Sequence, residues 1–339
     1  MKILSKPKGN AEEYGRWSVN PYIGCPHGCL YCYLKSGPSG GYLGQPQAVL
    51  KKGIVSEDHA YHLAMAEILE NREQIIRDGG LFMTFTSDPF LRETRSLFMG
   101  IAKASAHHGI PVIILTKCGA DCVGRKFVDG YSDSLAHKLE FDLATLVYGQ
   151  IAVGWTLTGY DELEPNASPS AERIKAMKIF SEQIRYAKFS ESIQTPITAK
   201  MLLGKDVNIN PKIWASIEPV IDFPSSFRMI QQALDAGCEH FKIGLMTKNT
   251  KVCRKGFTLG GKTFKPYDPA ECCQFVGYVM ELTAGRATVY WKQSVADFLG
   301  QSEKDPQPVH GMTAREFLSQ WPHSVPKDWS IFTPSPSVQ

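Results

Sequence analysis

Apolar and polar positions along this chain fall into two alternating rhythms. Short apolar runs bounded by polar or Gly/Pro turns read as buried strands: Leu81–Thr86, Pro111–Thr116, Gln150–Thr158, Ile213–Glu218 and His240–Leu245. Between them, apolar residues recur at helical spacing over Asp58–Arg77, Leu91–His108, Ser170–Tyr186 and Ser225–Ala236. Gly79-Gly80 and Gly109 close the first two helices, and Ser170 is placed to cap the third. A short strand is expected at Val19–Ile23. The pattern weakens past Leu245, where a helix at Pro269–Thr283 and a strand at Thr288–Trp291 remain legible. Residues 119–135 are less regular and read as an insertion. The end of the chain from Lys304, rich in Pro, Ser and Trp, is expected to cover the core and fray.

Strands alternating with helices predict a parallel sheet of βα units. About six strands are too few for a full eight-stranded barrel. Ligands of such folds bind at the carboxyl ends of the strands, and polar residues recur there: Thr86-Ser87-Asp88, Thr116-Lys117, Thr156 and Thr158, Ser216 and Glu218. One such group is ordinarily a cap or turn. Four in series read as the rim of an active site. In that rim Lys117 suits a carboxylate, Ser87 an amine or carboxylate, and the threonines a ribose.

The most specific chemistry lies at Cys25, Cys29 and Cys32, in Asn20-Pro-Tyr-Ile-Gly-Cys-Pro-His-Gly-Cys-Leu-Tyr-Cys-Tyr33. Thiolates suit zinc or iron–sulfur clusters. A [4Fe–4S] cluster ordinarily takes four cysteines, so three in one loop leave an iron open to a substrate or cofactor. A zinc site including His27 is the rival, although zinc ligands usually come as two separated pairs. Three reduced, buried structural cysteines are the plain alternative.

Composition narrows the setting without naming the reaction. The 339 residues are 43% hydrophobic and 21% charged, with a net charge of +3, enough for a large core and no sign of a dedicated nucleic-acid binder. The one basic cluster, Lys242 to Lys265, is expected to be a solvated face. No apolar run is long enough to span a membrane, and the start lacks a signal-peptide stretch, which leads to the expectation of a cytoplasmic protein. Nine cysteines in a reducing compartment point to metal or catalysis before disulfides.

The spacing C-x3-C-x2-C with Tyr31 before the last cysteine resembles the cluster loop of the radical SAM superfamily. More closely, the chain resembles the spore photoproduct lyase and DNA repair photolyase-like group. Thr84-Phe-Thr-Ser-Asp-Pro89, Leu115-Thr-Lys117 and Leu163-Glu-Pro-Asn-Ala167 followed by Arg173-Ile174 resemble its other signatures, in order, between about residues 18 and 175. The resemblance implies an α/β fold, a partial (β/α)6 TIM-type barrel over residues 19–250. An N-terminal arm (1–18) would precede it and a C-terminal α/β extension (251–339) would pack on it.

It also implies a [4Fe–4S] cluster on Cys25, Cys29 and Cys32 and S-adenosylmethionine at the open iron. Reductive cleavage would give a 5′-deoxyadenosyl radical that abstracts hydrogen from a substrate such as a nucleic-acid base, a nucleotide or another small molecule. Ser87, Asp88, Lys117, Thr156 and Thr158 are the expected cofactor contacts, with Tyr31 near the adenine. Tyr31 and Tyr33 match tyrosines implicated in hydrogen transfer. A reducing partner such as flavodoxin or ferredoxin is implied. Where the lyase carries a hydrogen-donor cysteine, this chain has Phe85, which argues against the thymine-dimer reaction itself. Cys118 and Cys122 follow Lys117 closely enough to reach the pocket mouth, whereas Cys253, Cys272 and Cys273, with Cys238, offer an auxiliary cluster only as an alternative to ordinary core, which is the preferred reading. The competing class is a non-catalytic binding protein shaped by zinc or a closed cluster.

Overall fold

The computed structural model describes residues 2–35, 40–120, 150–194, 212–248, 251–300, 314–320, 324, 325 and 331. Its centre is an eight-stranded sheet, here numbered β1 (Leu4–Ser5), β2 (Ser18–Val19), β3 (Leu81–Met83), β4 (Val112–Thr116), β5 (Ile151–Thr156), β6 (Lys212–Val220), β7 (His240–Leu245) and β8 (Thr288–Trp291). The spatial order follows the chain order from β1 to β8. β1 runs antiparallel to β2, and every other pair is parallel. The longer helices are α1 (Glu57–Glu70), α2 (Arg95–His107), α3 (Ser170–Gln194), α4 (Phe223–Asp235) and α5 (Pro269–Thr283).

Period-2 alternation divides the strand side chains between two faces. Val112, Ile114, Val153, Trp155, Ala215, Ile217, Phe241 and Ile243 share one buried cluster with helical Ile68, Phe98, Ile101, Phe180, Ile230 and Val276. Phe82, Ile113, Ala152 and Trp214 form a second cluster with Ile331 and no helical residue. The helices therefore cover one face, and the other is an inner face lined by strand and loop residues. A sheet wound once, without a reversal of strand order, has this one-sided helix layer; a doubly wound sheet has helices on both sides.

Local chemistry places the helix starts. Asp222 accepts from Ser225 N at 2.7 Å and Asp268 from Glu271 N at 3.0 Å, each ahead of a proline in the first turn. Several boundaries differ from the sequence expectation. Asp58–Arg77 is broken at Asn71, whose side-chain amide donates to Glu67 O at 2.8 Å, giving α1 and a short helix Arg72–Arg77. Ser170 is the first residue of α3 rather than its cap, and both its N–H and its hydroxyl bond to Asp161 Oδ1. Val19–Ile23 is not one strand, because Tyr22–Ile23 leaves the main sheet to pair with Val49–Leu50. Leu81–Thr86 stops at Met83, because Thr84 turns into the left-handed region at φ 59°.

Both segments drawn outside the core lend a strand to the sheet: β1 from 1–18, and β8 from 251–339, with Thr288 in register with His240. Most of the expected insertion at 119–135, with Cys122, lies outside the described residues. Among the described residues, no helix is long and apolar enough to cross a membrane.

Candidate active site

The four sequence signatures meet at the carboxyl ends of β3, β4 and β5. The cysteine loop enters through Gly24 (φ 84°), where a Cβ would fall 2.2 Å from Gln47 O, so no side chain fits. Cys25 N then donates to Gln45 O at 3.0 Å, and Cys32 N to Cys29 O at 3.2 Å. The segment 163–167 zips along the other side of the loop. Leu30 N donates to Leu163 O at 2.9 Å, Asn166 N to His27 O at 3.1 Å and Asn166 Nδ2 to Pro26 O at 3.0 Å.

Tyr31 hydrogen-bonds to Glu164 through its phenol. Glu164 in turn holds a fully buried ion pair with Arg173, Nη2 to Oε2 at 2.6 Å. The same guanidinium donates to Thr156 O at 2.7 Å and Ser168 O at 2.6 Å, so one arginine ties α3, the end of β5 and the cysteine loop together.

The β3 end is fastened by Asp88. Its carboxylate accepts from Phe90 N at 2.9 Å, Thr116 Oγ1 at 2.7 Å and Lys117 N at 2.8 Å, and lies 3.0 Å from His27 Nε2. Burial alone would raise this carboxyl, but the hydrogen bond and charge of His27, with the other donors, bring it down to about 2. Asp88 thus clamps the cysteine loop, β3 and β4. His27, Asp88 and Cys118 are the only described Cys, His, Asp or Glu residues that bring three ligand atoms within 4.8 Å of one another. The Asp88 oxygens there are already taken by these donors.

The three loop cysteines are spread more widely than that. Three thiolates on one zinc ion, each about 2.3 Å from the metal, would stand roughly 4 Å apart. A cubane holds its thiolates on separate irons and needs the wider spacing. Burial, then the charge of Asp88, pushes the Cys25 thiol up to about 12, and burial raises Cys29 although Lys117 opposes it. Metal loading at this loop therefore releases protons.

Ser87 precedes the Asp88 that holds His27 of the loop, and Lys117 reaches Tyr31 of the loop. The Ser87 hydroxyl is buried and has no hydrogen-bond partner among the described residues. The Lys117 ammonium lies 5.8 Å from the Tyr31 ring centroid. Burial pulls Lys117 down, but Cys29 and Glu164 more than offset it, leaving a cation. Thr156 is buried and offers its carbonyl to Arg173. Thr158, also buried, accepts from Tyr160 N at 3.3 Å in the following turn. Tyr33 is 60% exposed and bonds Phe85 O through its hydroxyl. Of the aromatics on and after β3 and β5, Phe82 and Phe85 stack at 4.3 Å on the inner face, while Phe90 and Trp155 belong to the helix-side core.

Among the described residues the remaining cysteines form no group of three ligands: Cys238 and Cys272 are buried, and Cys253 and Cys273 are half-buried. In the basic cluster, Lys248, Lys251, Lys255 and Lys265 are exposed and Lys262 pairs with Glu162 at 3.0 Å. Lys242 departs from the solvated-face expectation: it lies on the inner face with Glu13, Tyr14, Glu218 and Lys292. The signal was present in the strand, where Lys242 takes the opposite side from Phe241 and Ile243.

No protein-family model and no curated protein matches the sequence. By shape, the chain is similar to the crystal structure of Streptococcus suis SuiB, with a TM-score of 0.42 and 14% identity over 81% of this chain and 48% of that one. It is likewise similar in shape to the crystal structure of SuiB bound to S-adenosylmethionine, with a TM-score of 0.43 and 14% identity over 81% and 49%. The chain spans about half the length of these solved structures.

Proposed function

We propose that the chain is a radical SAM enzyme, a partial (β/α)6 barrel whose strand ends hold a [4Fe–4S] cluster on Cys25, Cys29 and Cys32 with S-adenosylmethionine beside it. The observation that carries the reading is the convergence on one loop of four segments far apart in sequence: the three cysteines, Ser87-Asp88, Thr116-Lys117 and Glu164–Arg173. Curling of the sheet is supported by Tyr14, whose ring lies 5.8 Å from Phe82 on β3 and 6.1 Å from Trp214 on β6, strands three places apart.

The residues present fit both groups. Three cysteines leave one iron without a protein ligand. The orphaned Ser87 hydroxyl and the Lys117 cation stand next to that loop, as a methionyl carboxylate and amine require. When bound, the pair supplies a 5′-deoxyadenosyl radical able to take hydrogen from a substrate.

The protein's own part is positioning. Lys117 holds the carboxylate and Ser87 completes its hydrogen bonding. Glu164, fixed by Arg173, sets the Tyr31 ring on the adenine side. Phe82 and Phe85 keep water from the inner face. Tyr33, on the exposed side of the loop, is placed to exchange hydrogen with a bound substrate. The electron comes from a protein donor of the flavodoxin or ferredoxin kind, and the substrate is a nucleic-acid base, a nucleotide or another small molecule.

Anaerobic reconstitution with iron and sulfide, followed by dithionite and S-adenosylmethionine, tests the reading by mass spectrometry. 5′-Deoxyadenosine and methionine are expected, and their loss in Cys29→Ala. Zinc bound in place of a cluster, or product that survives Cys29→Ala, overturns it.

A further inference from the structure

On the inner face, β6, β7 and the residue that follows β8 carry charge (Glu218, Lys242 and Lys292) where β3 to β5 carry apolar side chains. The register between β6 and β7 shifts between Ile217 and Val220. Glu218, inside that irregularity, lies over Gly244, where a Cβ would come 3.2 Å from Glu218 Oε1 and 3.0 Å from Lys292 Cδ. Glu218 Oε2 takes Lys292 Nζ at 2.5 Å and the Tyr14 phenol. Lys292 also stands 3.6 Å from Glu13 Oε2. Lys242 is the odd member: it donates to the backbone carbonyls of Glu13 at 2.8 Å and Tyr14 at 3.4 Å, and pairs with no carboxylate among the described residues.

Two complementary groups on this wall keep unused capacity. Below its midpoint of about 7 Lys242 is an ammonium with three donors, of which it uses two. Glu218 Oε1 has no partner among the described residues, and its side chain is 19% exposed. With Lys242 protonated the network is electrically balanced, Lys242 and Lys292 against Glu13 and Glu218. A phosphate or carboxylate would meet Glu218 unpaid, and a cation would meet Lys242, so a neutral group fits best. Burial, then the charge of Lys292, brings Lys242 down to about 7, which further weakens its hold on an anion. Because the donor and the acceptor stand on one wall, the ligand's own pair must point the same way. A trans amide points its N–H and C=O in opposite directions.

We propose that Lys242 and Glu218 recognise the substrate by a cis-amide edge, its C=O facing Lys242 and its N–H facing Glu218, as a lactam ring or a primary carboxamide presents. This rests on the inner face being the substrate side of the proposed reaction. Its test, equilibrium binding to the full chain, needs no S-adenosylmethionine cleavage, so either reading can fail alone.

Saturation-transfer NMR on the full chain at pH 6, where Lys242 keeps its third N–H, would compare 2-pyrrolidinone with N-methyl-2-pyrrolidinone, which lacks the donor, and with N-methylacetamide, whose amide is trans. The first is expected to bind, and the other two on the order of tenfold more weakly. Acetamide separates the two sources: binding comparable to 2-pyrrolidinone points to a carboxamide, and weaker binding to a ring lactam. A folded Lys242→Met chain is expected to lose the preference; if it does not fold, the analogue series on the unaltered chain decides. Equal binding of the first three probes, binding of none, or a preference that survives Lys242→Met overturns the proposal.

Discussion

His27 Nε2 and Asp88 Oδ2 stand 3.0 Å apart, both buried, and this pair joins the cysteine loop to the end of β3. Asp88 is depressed from 3.8 to about 2 in the folded chain. A carboxylate held below its unfolded value stabilises the fold fully above that value, and the contribution disappears as pH falls through the folded one. The shift corresponds to about 2 kcal/mol. Urea unfolding between pH 5 and pH 2 should therefore show a steeper acid loss in the native sequence than in Asp88→Asn. Equal slopes would show that the clamp is not electrostatic.

Ser87→Ala separates stability from binding. A buried hydroxyl without a partner costs about 1–3 kcal/mol of desolvation, so its removal should leave the melting temperature unchanged or raised. Affinity of the cluster-loaded protein for S-adenosylmethionine should fall several-fold. A drop in stability with unchanged affinity would assign the hydroxyl to the fold.

The Glu164–Arg173 pair predicts an asymmetry. Arg173→Met strands a fully buried carboxylate and should cost roughly 3–5 kcal/mol in urea unfolding. Tyr31→Phe removes one hydroxyl from the same carboxylate and should cost about 1–2 kcal/mol. A Tyr31→Phe penalty as large as that of Arg173→Met would mean that the phenol, not the ion pair, organises the loop.

The segments that gather around the cysteine loop were legible beforehand because local rules wrote them. The cysteine spacing, the polar strand ends and the apolar runs of β4, β5 and β7 are features of short segments. His240–Leu245, Pro269–Thr283 and Thr288–Trp291 keep their expected bounds, since their patterns are uninterrupted. The β3 boundary was not legible: nothing in Thr84 announces a left-handed turn, which is over-determined by Asn20 Oδ1 accepting from Phe85 N at 2.7 Å. The inner-face network was equally hidden, because Tyr14, Glu218, Lys242 and Lys292 meet only through the parallel pairing of β6, β7 and β8. In a linear reading they fall into an arm, a strand end, a basic run and an extension.

Gly154 is a test of how the inner face is packed. A Cβ there would lie 2.3 Å from Trp214 Cε2, and the indole is anchored by Nε1 donating to Ile114 O at 3.1 Å. Gly154→Ala should destabilise by about 1–3 kcal/mol. Trp214→Leu in the same chain should recover part of that loss, a positive coupling measurable in a double-mutant cycle. Strict additivity would mean that the ring does not lie across β5.

The inner-face lysine carries a pH signature. Glu13 and Tyr14 face Lys242 from the N-terminal segment, Glu218 from β6, Tyr290 from β8 and Lys292 from just past its end. Burial is the largest influence and the Lys292 charge the next; both favour the neutral amine, and together they bring Lys242 down to about 7, against partial opposition from Glu13 and Glu218. The unfolded chain keeps its proton up to about 10.4, so between these values it binds more protons than the folded one, and this residue makes stability rise with pH. Near pH 7.5 most of Lys242 is the free amine, while roughly one surface lysine in a thousand is. Brief acetylation read by peptide mass spectrometry should label Lys242 first, with a rate that rises through a midpoint near 7. Lys292→Met removes the neighbouring like charge and releases Glu218 and Glu13, so the midpoint should move up. Labelling no faster than at exposed Lys248 would mean that Lys242 is held as a permanent cation, and a downward shift in Lys292→Met would mean that the Lys292 charge is not what lowers it.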